Sequence, residues 1–174
     1  LVLDLDALNT AEKENWVWQG AQCLAPEFNR CLISLSRGGK DAKVLREFDI
    51  EKRAFIAAAQ GGFELPEAKS DATWLDEDTL LFGTNLGPDT LTDAGYPRQV
   101  RLWKRGTPYT SAKVLFEGQK SDVSTSAGVS FRPEGKQAFI VRAPSFFTEE
   151  VYLLEGETPR KLPITEDASF QGVF

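Results

Sequence analysis

Short apolar runs separated by polar turns fill almost the whole chain, and they recur in three copies of one order. Each copy reads as a strand, a turn, a second apolar strand, a loop, a third strand, a hairpin and a short fourth strand. In the first copy, residues 15–57, strands are expected at 15–21, 31–36, 44–48 and 53–57. The second copy, residues 72–117, predicts strands at 72–75, 79–84, 99–104 and 112–117. The third, residues 123–164, predicts 123–131, 137–142, 150–154 and 160–164. Turn chemistry punctuates them: Gly38-Gly39, Asp76-Glu77-Asp78, Gly106-Thr107-Pro108, Pro133-Glu134-Gly135 and Gly156-Glu157-Thr158-Pro159. Leu80-Leu81-Phe82 and Ala138-Phe139-Ile140-Val141 are apolar at consecutive positions, the pattern of a strand covered on both faces. Trp18, Trp74 and Phe131 recur at intervals of 56 and 57 residues. A period near fifty residues built from short strands is that of a β-propeller blade.

The expected fold is therefore all-β, a partial β-propeller of about three four-stranded antiparallel blades with flanking strands. Residues 1–8 alternate leucine with Asp4 and Asp6 and read as an edge strand. A helical turn capped by Thr10, or a polar connection, follows. Residues 168–174 read as the first strand of a further blade. Over residues 43–56 a helix competes with the strand reading, because Ala, Lys, Leu, Arg and Glu favour helices. Strands are preferred there because the place matches the two clearer copies. Both ends of the sequence fall inside a strand pattern, so an internal piece of a longer ring is expected. A single blade cannot bury its own two faces.

Composition narrows the chemistry. Of 174 residues, 41% are apolar and 26% charged, which favours a folded chain over a disordered one. There is no histidine, so no imidazole base, nucleophile or metal ligand can come from this chain. No Gly-x-Ser-x-Gly elbow or phosphate-binding glycine loop occurs either. No catalytic residue, no metal site and no cofactor are expected. The net charge of −6 and the scattered Lys and Arg argue against a nucleic-acid partner. No apolar run reaches the roughly 20 residues of a membrane-spanning helix. Asp76-Glu77-Asp78 reads as a solvated turn rather than a calcium site, since adjacent acids in a tight hairpin converge poorly. Trp16, Trp18, Trp74 and Trp103 read as packing residues rather than a sugar platform. Cys23 and Cys31 flank a short loop and could face each other and form a disulfide if their strands pair. Two buried reduced thiols are the preferred reading, because two cysteines do not make a disulfide framework. The compartment, cytoplasm or periplasm, is left open.

Several segments resemble the N-terminal propeller of prolyl oligopeptidase-family serine peptidases. They are Leu3-Asp4-Leu5-Asp6-Ala7-Leu8, Glu14-Asn15-Trp16-Val17-Trp18, Leu35-Ser36-Arg37-Gly38-Gly39, Gly95-Tyr96-Pro97-Arg98 and Trp103-Lys104-Arg105-Gly106-Thr107-Pro108. Their order spans essentially the whole chain. The resemblance implies a parent in which a seven-bladed propeller covers an α/β-hydrolase domain that cleaves short peptides after proline. The partners it implies are that hydrolase domain and short proline-containing peptides, with this chain acting as a steric gate. In a four-strand meander the second-to-third strand loops and the blade-to-blade connections share one rim. Residues 37–43, 60–70, 85–98, 117–122 and 143–149 are placed there. Tyr96, Arg98, Phe146 and Phe147 are the candidate contacts to substrate or catalytic domain, against the alternative that each anchors its own loop. The rival reading is an interaction scaffold of the WD-repeat or TolB-like kind without peptidase activity. Uncovered blade faces and edges predict self-association of the isolated chain.

Overall fold

The structure, a computed structural model described here for residues 2–164, is mostly β and divides into two compact units, Leu1–Ser70 and Asp71–Phe174. Three antiparallel sheets account for its strands, matching the expected partial propeller. The strand expected at 168–174 lies outside the described residues.

The first unit opens with a helix, α1 (Leu5–Glu12), where an edge strand was expected. The Leu-Asp alternation imitates a strand, but Asp4 is extended and its side chain accepts a bond from the Ala7 N–H at 2.9 Å, which caps a helix. Lys13, in the left-handed region, ends it. Thr10 lies inside the helix instead of capping one, and its hydroxyl donates to the Asp6 carbonyl. Leu5 and Leu8, three residues apart, fall on one helix face and pack on the sheet with Leu3.

That sheet runs β1 (Trp16–Cys23), β2 (Arg30–Arg37), β3 (Lys43–Asp49) and β4 (Ala54–Phe55), all antiparallel. The competing helix over 43–56 does not form. A fifth strand, β5 (Glu64–Ala68), also pairs with β3, opposite Lys43–Arg46, while β4 holds only Phe48 and Asp49. Residues 60–70, expected as a rim connection, thus contribute a strand. Its Pro66 and flanking glutamates mask it in the sequence, and an edge position tolerates the missing N–H. Leu65, fully buried, is what holds it. Trp16, Cys31, Ile33, Leu35 and Phe48 form the core on the helix side. Cys23 and Cys31 are direct cross-strand partners and are joined in a disulfide, overturning the expectation of two free thiols.

The second unit holds two four-stranded meanders. One is β6 (Asp71–Asp76), β7 (Thr79–Gly83), β8 (Gln99–Lys104) and β9 (Lys113–Glu117). The other is β10 (Ser124–Arg132), β11 (Gly135–Ala143), β12 (Glu150–Glu155) and β13 (Thr158–Lys161). They stack face to face. Leu81, Val100 and Leu102 of the first meet Ala138, Ile140 and Leu154 of the second in one core, and the Phe116 and Tyr152 rings lie 4.5 Å apart. The consecutive apolar positions of β7 and β11 are explained by this stacking. Burying each such side chain contributes roughly 1.5–3 kcal/mol.

The tryptophan period needs one correction. Trp74 pairs with Leu80, and Phe131 pairs with Lys136, each one pair before the closing pair of its hairpin. The equivalent residue in β1 is Gln22, paired with Leu32, not Trp18. Trp18 is 48% exposed whereas Trp74 is 1% exposed.

Candidate functional site

In each meander of the second unit, alternate connections leave from one end. The β7–β8 loop (residues 84–98), the β9–β10 connection (118–123) and the β11–β12 loop (144–149) therefore gather on a single rim. Their mutual hydrogen bonds show that they meet. The Asp93 N–H donates to the Lys120 carbonyl at 2.7 Å, the Thr92 hydroxyl to the Val123 carbonyl at 3.1 Å, and the Val123 N–H to the Ala143 carbonyl at 2.8 Å.

The β7–β8 loop is long but tied to itself. Thr90 donates its hydroxyl proton to the Gly87 carbonyl and accepts from the Leu86 N–H. A turn at Gly95, with φ +79°, brings the Tyr96 carbonyl back to the Thr92 N–H. Arg98 is built into this frame. Its guanidinium donates to the carbonyls of Asp89 and Gly118, each at 2.8 Å, and pairs with Glu117 at 2.8 Å. It joins the β7–β8 loop to the start of the next connection. Tyr96 is half-buried.

Asp122 is the pivot of the rim. Only 3% exposed, it accepts from the Gln119 N–H at 2.6 Å and from both Nε and Nη2 of Arg142, at 2.7 and 2.8 Å. The bidentate geometry makes this pair stronger than a neutral bond. The Arg142 guanidinium, with help from the Gln119 N–H, holds the Asp122 carboxyl below the usual carboxylate range. Gly118 is required here, because a Cβ on it would sit 2.7 Å from Asp122 Oδ2 and 2.7 Å from Thr125 Oγ1. Arg142 also reaches Glu150 at 3.0 Å, and Glu150 accepts from Lys161 at 2.6 Å and from the Tyr152 hydroxyl at 2.8 Å. Lys161 and then Tyr152 pull the Glu150 carboxyl down to about 2.

This network carries the β11–β12 loop. Within the loop Ser145 and Thr148 share a hydroxyl bond of 2.8 Å, and the Phe147 N–H donates to Ser145 Oγ. At its tip Phe146 and Phe147 are 84% and 94% exposed, so neither anchors its loop by packing. Pro144 and Thr148 of the same loop line a recess of about 430 Å³, together with Arg142, Glu150, Lys161 and Ile164. Of the four residues expected at the rim, then, the two phenylalanines face outward, Tyr96 is half-covered and Arg98 is a structural tie. Asp122 and Arg142 escaped sequence analysis. Twenty residues separate them, and no local spacing announces a pair that only the sheet-to-sheet connection brings together.

In the first unit the corresponding loop is fastened by Arg37, which pairs with Glu14 and Glu67, each at 2.8 Å, and by Lys69 with Asp41 at 3.2 Å. Among the described residues no group of three or more acidic or cysteine side chains is placed to hold a metal ion. On the rim of the second unit Arg98, Asp89, Lys120 and Asp122 each have a charged partner, and these ion pairs hold the loops in shape.

Comparison with known proteins accords with this architecture. The family described as prolyl oligopeptidase, N-terminal beta-propeller domain, matches residues 1–171. An uncharacterized peptidase of Sinorhizobium fredii is 41% identical over 99% of this chain, which spans 24% of that protein. The structure of a post-proline cleaving enzyme from Rickettsia typhi superposes with a TM-score of 0.89 at 32% identity, over 99% of this chain and 27% of that one. Oligopeptidase B from Leishmania major shares the fold, with a TM-score of 0.67 at 15% identity over 95% of this chain and 22% of its own. The chain thus spans about a quarter of the relatives it matches. With stacked four-stranded sheets and a family match from end to end, this chain belongs to the N-terminal β-propeller domain of prolyl oligopeptidase-family peptidases.

Proposed function

We propose that this chain forms part of a propeller that covers the α/β-hydrolase domain of a peptidase cleaving short peptides after proline. Its part is that of a steric gate, admitting short peptides and excluding folded proteins. The observation that carries this reading is the family match over residues 1–171 by a chain that spans only about a quarter of its peptidase relatives. The chemistry then belongs to another part of the polypeptide, in keeping with a chain that has no histidine. Coding sequence beyond Phe174 is expected to encode a Gly-x-Ser-x-Gly elbow. Its absence would leave an interaction scaffold without peptidase activity.

Phe146 and Phe147 are the residues proposed to touch the catalytic domain or the peptide, with Tyr96 on the neighbouring loop and Arg98 fixing that loop. Exposed phenylalanines at a loop tip are suited to an apolar partner. In the full-length protein, Phe146→Ser with Phe147→Ser is expected to change kcat/KM for short proline peptides while the thermal midpoint stays put. Unchanged kinetics would remove the pair as contacts. Produced alone, the chain is expected to self-associate through uncovered sheet faces, Trp18 among the residues left open. A monodisperse monomer in light scattering at high concentration would refute that.

A further inference from the structure

Among the described residues β1 is an edge strand of its sheet, paired by β2 alone, and a register shift between Trp18 and Gly20 divides it into halves. The first half is fastened by side chains. Trp16 is 5% exposed, its backbone N–H donates to Asn9 Oδ1 at 2.6 Å, and its indole N–H donates to Glu12 at 2.7 Å. The Arg37 guanidinium lies 4.5 Å from its ring centroid. The second half begins at Gly20, with φ +129°, continues through the exposed Ala21 and Gln22, and ends at Cys23, bonded to Cys31. Leu24 follows it into the loop and is buried.

The disulfide is not sealed in the core. Both cysteines line an apolar groove of about 550 Å³, together with Trp18, Ala21, Ile33 and Phe48. Cys23 is half-buried, while Cys31 is 1% exposed. A small thiolate entering the groove meets Cys23 first.

We propose that the Cys23–Cys31 disulfide is a thiol-responsive clasp, whose reduction frees the outer half of β1 and reshapes the apolar groove bordered by Trp18. The reductant is a thiol such as glutathione. Its thiolate attacks Cys23 Sγ, forms a mixed disulfide and expels the Cys31 thiolate, which takes a proton from solvent. A second thiolate attacks the external sulfur of the mixed disulfide, yielding oxidised reductant and the Cys23 thiolate, which likewise takes a proton from solvent, so two thiols supply the two electrons. Once released, Cys31 remains a small apolar side chain beside Ile33 and Phe48, and the sheet core keeps its packing. The strand half it held retains backbone bonds on one side only and contains a glycine in a region open to wide motion. Loosening is therefore confined to residues 20–23 and the loop up to residue 29.

The test is a redox titration of the full-length protein in glutathione buffers. Samples are quenched by alkylation for mass analysis, and amide hydrogen exchange is followed in parallel. In oxidised protein both cysteines should escape alkylation. On reduction both should be labelled, and exchange at residues 20–23 should rise about tenfold or more while residues 16–18 hold steady. The variant Cys23→Ser with Cys31→Ser should show the fast pattern in every buffer; if it fails to fold, the wild-type titration still decides. Free thiols in oxidising buffer, resistance to reduced glutathione, identical exchange in both states, or a rise throughout the sheet would each overturn the proposal.

Discussion

The apolar face that β1, β2 and β3 turn toward α1 and the interface between the two sheets of the second unit are built from similar residues, yet they are covered differently. Ile140 is fully buried because another sheet presents Leu81, Val100 and Leu102 to it. Ile33 and Phe48 are 3% and 1% exposed, but their cover is an eight-residue helix and a disulfide, and it stops short of Trp18. A sheet supplies a continuous surface matched in length to its neighbour, whereas one short helix shields only part of a strand's width. The groove of about 550 Å³ is what remains. Four strands in the right order do not make a finished blade until something of similar extent lies against them.

The largest effect should come from the sheet-to-sheet core. Ile140→Ala is expected to cost about 3 kcal/mol, read as a shift of the urea midpoint, because the rigid stack cannot collapse into the space. Ile33→Ala should cost less, about 2 kcal/mol, since its face is partly open and can relax; equal losses would break the contrast. Removing the disulfide with Cys23→Ser and Cys31→Ser should cost about 2.5 kcal/mol for so short a loop. On the rim, Asp122→Asn should cost about 2 kcal/mol by removing the bidentate one of the two carboxylates that Arg142 engages, and rescue by Asp122→Glu would show that charge alone suffices. Acid sharpens the same point. Because the Glu150 carboxyl is held down at about 2, its bonds to Lys161, Tyr152 and Arg142 contribute fully above its ordinary 4.5 and fade as the pH falls toward 2. Glu150→Gln should flatten the acid limb of the stability profile over that window. The smallest effect belongs to Phe146→Ser with Phe147→Ser, under about 0.5 kcal/mol in stability, since both rings are largely exposed.

Much of the architecture is legible along the chain because propeller strands are local. Most hairpins are short, their turns carry Gly, Pro or acidic residues, and all the strands but β5 pair in sequence order. The strands of β7 and β11 even disclose that they are covered twice. Where the reading failed, a non-local partner or a single capping bond had decided the outcome. β5 owes its existence to β3, across a stretch that includes Gly61, Gly62 and Pro66, and its own composition argues against a strand. Residues 3–8 alternate as a strand would, and the capping bond from Asp4 tips them into a helix. The disulfide depends on register: a slip of one residue would turn the two sulfurs to opposite faces. At the rim, exposed phenylalanines and a tied-in arginine look alike in one dimension.

The sequence by itself determined the repeat, the order of the four-stranded meanders, the absence of imidazole chemistry and the resemblance to a propeller family, since each follows from residue type and spacing over a few turns of chain. Only the tertiary structure decided which aromatics are buried, which charges meet and whether Cys23 reaches Cys31. Those outcomes depend on distances between segments brought together by sheet pairing and stacking, and side-chain burial and electrostatics act through those distances.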